Sequence, residues 1–470
     1  MSLSALIERL QESLSDASDV KTIILILTGL FAVHFLHRIW RSSRVKEVIP
    51  EGAPKSEKDQ EKEYGEWTPV KFDYPSFPPC NEELHAMKPI PYRPFRWGAY
   101  HVTMGIRDMP WSEWIELDNQ YPSYYAIKKH RIHSRGHDVV RVLPDRPGVV
   151  RSARHSAVEL VHELAGYLTK RYPTTFVATY DSTSNAIKIV KIASVDATLE
   201  LPPPVLQDAE KMLLRDVSIQ EAEEAMRISG LLIQDDLALM VEGTDGRYYF
   251  QGGSIVVPGF WRMRDKIGMP LDEIHTSGHV FHYPEKLQIS LERFFRRFPV
   301  QKPVIRNNYF IQIVKPESHR RTGVPPTDIA PQKEDEDLVD PLELAWSTTT
   351  NGNEDTFTHG MPAHPNEFPE VRPETLQFRT ERQTLRRLPL TGAIVFTIRT
   401  YLVPLPELGK EKGVPARLAS AVRSWPEGVG RYKGRDNYET VLLDYLDKCA
   451  EEQRRDGGEE FAKWAEKYPY

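Results

Sequence analysis

LALMVEGTDGRYYFQGGSIVVPG, Leu237 to Gly259, decides the fold class. Two runs rich in apolar and aromatic residues flank Thr244-Asp245-Gly246, a turn-forming triplet, so the stretch reads as a β-hairpin. A second strand signal lies in GAIVFTIRTYL, where Ile394, Phe396 and Ile398 alternate with Val395, Thr397 and Arg399, the period of a strand with one face in a core. AIKIVKI, ending at Ile192, is a further strand candidate. Helical spacing occurs in separate runs. In SARHSAVELVHELAGYLTKRYP, Ala157, Leu160, Val161, Leu164 and Leu168 recur on one face until Tyr172-Pro173 closes the helix. After Pro284 a second helix gathers Leu287, Leu291, Phe294, Phe295 and Phe298. Strands in hairpins and helices in separate runs predict an α+β body with an antiparallel sheet and flanking helices, not a doubly wound one.

The 470 residues are 40% hydrophobic and 27% charged, a globular composition with room for one large or two ordinary domains. Lys plus Arg number 61 against 67 Asp plus Glu, a net charge of −6 that gives no case for a nucleic-acid partner. Two cysteines, Cys80 and Cys449, are too few for a disulfide scaffold, a four-cysteine iron–sulfur cluster or a thiolate zinc ribbon.

Near the start, the segment Thr22 to Trp40 is apolar from Ile23 to Leu36 except for Thr28, Gly29 and His34. With Trp40 as an interfacial anchor it reaches across a bilayer. Glu8, Glu12, Asp16 and Asp19 precede it, and Arg38, Arg41, Arg44 and Lys46 follow it, a positive flank that belongs on the cytosolic side. The expected organisation is a luminal segment 1–21, a transmembrane helix 22–40, a charged tether 41–75 and a body 76–470. That makes a single-pass protein of the endoplasmic reticulum whose body faces the cytosol. A Pro-, Asp- and Glu-rich insert at about 315–374 reads as a long surface loop, with LELAW pinned to the core.

Chemistry is narrowed first by what is missing. There is no GxxxxGK[ST], and GVGRYKG near Gly428 has the wrong final spacing for a dinucleotide fingerprint. No GxSxG elbow occurs. In DEIHTSGHVFHYPEKL, His275, His279 and His282 crowd a turn before the second helix, which admits a zinc site, an axial haem ligand or ligand-free loop histidines. In HRIHSRGH, His130, His133 and His137 interleave with Arg131 and Arg135, a pattern more often a solvated face than a metal site. Arg379, Arg382, Arg386, Arg387 and Arg399 surround the predicted core strand, and Arg306 stands beside two asparagines. Guanidinium forks suit carboxylates, either those of a bound anion or those of internal ion pairs.

In order along the chain, PYRPFRWGAYHVTMGIRDM, WIELDNQY, LIQDDLALM, FWRMRDKIGMPLDEIH, FFRRFPVQKPVIRNNY and RTERQTLRRLPLTGAIVFTIRTYLVPL resemble the family of the haem-dependent oxidative N-demethylase alpha subunit. The resemblance runs from about Pro91 to Leu446 and implies a PAS-like haem-binding domain that oxidises a small methylated amine with dioxygen. It implies haem b, with His275 as the proximal iron ligand and Arg306, Arg382 and Arg386 as contacts for the haem propionates. Three departures set this chain apart: the anchor, the acidic insert, and TSGHVFHYP after the Ile-His pair. They point to a membrane-anchored, fungal-type branch and to a larger or more lipophilic small-molecule substrate, such as a secondary metabolite. The sequence carries no flavin fingerprint, so electrons are expected from a separate reductase. The rival expectation is a non-catalytic PAS-like haem or ligand sensor. A zinc hydrolase built on His275, His279 and His282 is the third.

Overall fold

The structure is a computed structural model that describes residues 63–208, 210–278, 280, 282–315, 343–358, 370–458 and 460–461. The expected luminal segment, the anchor, the tether as far as residue 62, much of the acidic insert and His279 lie outside the described residues. Among the described residues no helix is long and apolar enough to cross a membrane. The chain divides into Met1–Lys62 and Glu63–Tyr470. The second unit begins inside the expected tether, because aromatic groups there find partners. Trp67 Nε1 donates to Pro389 O at 2.9 Å, and Tyr74 OH takes a hydrogen bond from Arg386 Nη2 at 2.7 Å.

The strands, in chain order, are β1 Arg107–Asp108, β2 Val140–Val142, β3 Phe176–Tyr180, β4 Ile187–Ile192, β5 Ala197–Glu200, β6 Leu206–Asp208, β7 Leu213–Leu214, β8 Asp236–Glu242, β9 Tyr248–Ser254, β10 Val304–Ile313, β11 Leu376–Arg387 and β12 Ile394–Pro404. Seven of them form one sheet, ordered β1-β10-β11-β12-β8-β9-β2, with antiparallel neighbours throughout. The expected hairpin is β8–β9. Its turn closes with Gly246 at φ +79°, a left-handed conformation that a side chain would strain. β4 joins β3 and β5 in a separate three-stranded sheet, and β6 pairs with β7.

The helices are α1 Tyr121–Arg135, α2 Arg154–Arg171, α3 Ile219–Leu232, α4 Leu271–Ser277, α5 Gln288–Arg297, α6 Thr348–Asn351, α7 Leu405–Gly409, α8 Val414–Arg423, α9 Glu427–Tyr432 and α10 Glu439–Gly457. The apolar stripe predicted for α2 is fully buried, and with α1 and α3 it covers the sheet face that carries Leu237, Leu239 and Val395. The opposite face carries Ala238, Met240, Leu385 and Ile394 and packs against Phe295 and Phe298 at the end of α5. The far ends of β10 and β11 pack under α7, α8 and α10. Both faces of the sheet are therefore covered, where the alternation in GAIVFTIRTYL predicts one. The polar positions of that alternation, Thr397 and Arg399, are fully buried because other polar groups meet them.

The LELAW run sits against the sheet. Leu344, Ala345 and Trp346 are buried, Gly259 N–H donates to Ala345 O, and Ser347 N–H donates to Gly259 O. Gly259 has φ +77°, and a Cβ there would lie 2.5 Å from Arg379 Cζ, so only glycine fits between the strap and the sheet.

Candidate functional site

Strand register builds a cavity on the α5 side of the sheet. Asn308 lies opposite Glu381, Arg306 opposite Gln383, Gln383 opposite Ile398 and Leu385 opposite Phe396. Alternation along a strand puts these side chains on one face. They line a cavity of about 600 Å³, which α4, α5 and the end of α9 close. That volume falls in the range of roughly 300–1,000 Å³ typical of small-molecule and cofactor sites. The walls are mainly aliphatic and aromatic.

His275 enters from α4. Its Nδ1 lies 2.7 Å from the carbonyl oxygen of Leu271. A carbonyl only accepts, so Nδ1 carries the proton and Nε2 keeps the lone pair. Burial pushes the imidazole down to about 4, with help from Arg306 and Lys266 and against the opposing pull of Leu271 O and Asp272, so the ring is neutral near pH 7. The ring of Tyr283 stacks on it with centroids 4.6 Å apart. Tyr283 stands at the start of a π-helical turn, Tyr283–Leu287, that follows His282 at φ +56°. A neutral imidazole, fixed through one nitrogen and free at the other, is the donor that an axial metal position requires.

The polar part of the cavity is cationic. Arg306, Lys266, Arg431 and Lys433 line it, against one carboxylate among the described residues, Glu381. Gln383 Nε2 donates to Glu381 Oε2 at 3.0 Å. Arg431 is taken by Glu427 at 2.6 Å. Arg306 is different: its Nε is sealed from solvent with no hydrogen-bond partner, and burial lowers its pKa while Glu381 opposes that shift. A half-buried guanidinium with its Nε sealed and unpartnered suits an anion held in the cavity. An apolar slot with a neutral imidazole in its wall and an unsatisfied guanidinium beside it fits a flat, largely apolar cofactor with carboxylate arms.

Arg382 and Arg386, predicted to share that role, do not reach the cavity. Glu381, Gln383 and Leu385 face it, so the residues between them point to the other side of the sheet. There Arg382 pairs with Glu116 at 3.1 Å, and Arg386 pairs with Glu163 at 2.9 Å while lying 4.1 Å over the Trp114 ring. Arg399 pairs with Asp118 at 2.7 Å in the same layer. These arginines hold the fold together. In the other histidine group, His130, His133 and His137 are exposed, and Arg131 is bound to Glu354 at 2.9 Å. Among the described residues no group of three His, Cys, Asp or Glu side chains is placed to hold a metal ion, and His279 lies outside them.

Lys266, Glu381, Tyr283 and Lys433 are missing from the sequence-level candidates. Lys433 belongs to GVGRYKG, set aside there as a failed nucleotide motif. Glu381, a lone acid among five arginines, carried the clearest signal.

The sequence model of one protein family, described as haem-dependent oxidative N-demethylase, alpha subunit-like, matches residues 105–443, well over half of the chain.

Proposed function

The chain belongs to the haem-dependent oxidative N-demethylase alpha-subunit-like family, and on that premise we propose that it is a haem-dependent oxidoreductase of the monooxygenase or oxidative N-demethylase type, acting on an amine or a lipophilic metabolite. The observation that carries the reading is His275, a neutral imidazole in the cavity wall with its proton committed to Leu271 O. In this reading His275 would hold the iron of haem b through Nε2, and Arg306 would take a propionate. Haem, when bound, supplies the position at which dioxygen binds and the one-electron chemistry that C–H oxidation needs.

The protein's own contribution is orientation and exclusion of water. Leu271 O and the Tyr283 ring fix the plane of His275. Phe294, Leu291 and Ile274 make the wall apolar, which keeps the imidazole unprotonated. Electrons come from a separate reductase, since Cys80 and Cys449 are the only cysteines and no flavin fingerprint is present. The PAS-like architecture, the anchor at 22–40 and residence in the endoplasmic reticulum membrane with a cytosolic body belong to the same proposal. An anchor would raise the effective concentration of a membrane-bound reductase or substrate.

The test is the absorption spectrum and iron content of the full-length chain beside His275→Ala. The reading requires a Soret band that shifts on reduction under carbon monoxide and is lost or displaced in the variant. A wild-type chain that stays colourless after haem is added would sink it.

A further inference from the structure

Lys128, Lys433 and Lys266 differ in what satisfies the amine. Lys128 Nζ donates to the carbonyls of Gly230, Ile233 and Asp235, so all of its N–H groups are used. Lys433 Nζ donates to Tyr309 O at 2.5 Å and lies 4.5 Å from the ring centres of both Tyr309 and Phe310, contacts that suit a charged amine. Lys266 Nζ lies 4.7 Å over the Trp261 ring, and among the described residues it has neither a hydrogen-bond acceptor nor an ion pair. Its neighbour Asp265 is already taken by Arg262, whose Nε and Nη2 each donate to it at 2.8 Å.

The Lys266 amine stands at the cavity wall. Trp261 and Gly278 both line the cavity, and a Cβ built on Gly278 would lie 3.8 Å from Lys266 Nζ. Gly278 caps α4, the helix that carries His275. An aromatic face favours the ammonium form but leaves N–H groups free to donate elsewhere. Burial lowers Lys266 to about 8 while Asp265 and Glu381 oppose the shift, so the group is mainly charged at pH 7.

The charges of the wall give the class of ligand. Arg431 is paired with Glu427, which leaves Arg306, Lys266 and Lys433 facing Glu381 among the described residues. An excess of two positive charges in a mainly apolar cavity is neutralised by a ligand with two negative ones. Arg306 and Lys266 both act on the His275 imidazole, so both stand near it.

We infer that Lys266 is the second carboxylate-binding group of the cavity, taking one propionate of haem b while Arg306 takes the other. The inference rests on the proposed function for its ligand. It fills the place that Arg382 and Arg386 do not reach.

The experiment titrates the full-length, haem-free protein at pH 7 with haem and with haem dimethyl ester, whose two arms carry no charge, and follows the Soret band. Lys266→Met is compared with the wild type, and urea unfolding of the haem-free chains establishes that both are folded. The expected result is about a tenfold loss of affinity for haem in the variant, with less than about a twofold change for the ester. Lys266→Gln keeps a polar side chain without the charge. It must show the same split, and it stands in where the methionine variant does not fold. Equal losses for haem and ester, or no loss for haem, would overturn the inference and leave the haem reading in place. A wild-type chain that forms a Soret complex with neither compound would overturn both.

Discussion

The imidazole of His275 and the phenol of Tyr283 lie face to face, their planes 4° from parallel. The phenol is fully buried, and its hydroxyl has no hydrogen-bond partner, so the ring and not the hydroxyl is what the site uses. Tyr283→Phe is therefore expected to leave the His275 Nδ1–H resonance in place in proton NMR of the haem-free chain at pH 7. Tyr283→Leu is expected to lose it to solvent exchange and to cost about 1–3 kcal/mol of stability. Survival of that resonance in the leucine variant would remove Tyr283 from the positioning of His275.

Arg306 is an unpaired cation facing the cavity. Replacing it by glutamine removes a desolvated charge, so the haem-free chain should keep its stability or gain about 1 kcal/mol in urea unfolding. Haem affinity, followed by Soret titration, should weaken about tenfold.

For Arg386 the expectation is reversed. Arg386→Met leaves the half-buried Glu163 without its partner and removes the cation over the Trp114 ring, and should destabilise the chain by about 2 kcal/mol, while haem titration moves less than twofold. Adding Glu163→Leu should recover part of the loss. A weakened haem affinity at full stability would return Arg386 to the site.

Asp235 gives the pH dependence. It is fully buried, neither carboxyl oxygen is hydrogen-bonded, and burial raises it to about 6 against the pull of Arg382, Arg399 and Lys128, with Glu116 adding to the rise. The folded chain thus holds this proton more tightly than the unfolded one. Its contribution is complete below about pH 4 and is lost as pH rises through about 6, on the order of 3 kcal/mol. Asp235→Asn should remove that slope from stability measured between pH 4 and 7, and an unchanged slope would assign it elsewhere.

How much of this was legible in the sequence depends on how far apart the partners lie. The β8–β9 hairpin and the α2 stripe follow from local patterns and stand in the structure; His275 is singled out by the family resemblance, and the structure places it in the cavity wall. The role of Arg382 and Arg386 does not, because Glu116 and Glu163 are remote in sequence, and a strand polar on both faces gives no sign of which side meets them. Lys433 escaped for a related reason. Its surroundings, Tyr309 and Arg306 on β10 and Glu381 on β11, are brought together only by the register of the sheet.

Along β11 two populations of residues are interleaved like the teeth of a comb. Glu381, Gln383 and Leu385 line the cavity, while Arg382, Thr384 and Arg386 touch the rest of the protein. A combinatorial library over the first set, joined by Arg306 and Asn308, would sample new ligands on an intact scaffold. One shifted by a single codon would return mostly unfolded chains. Divergence in what such a protein accepts can therefore proceed at every second position of one strand, with the scaffold held constant by the positions between.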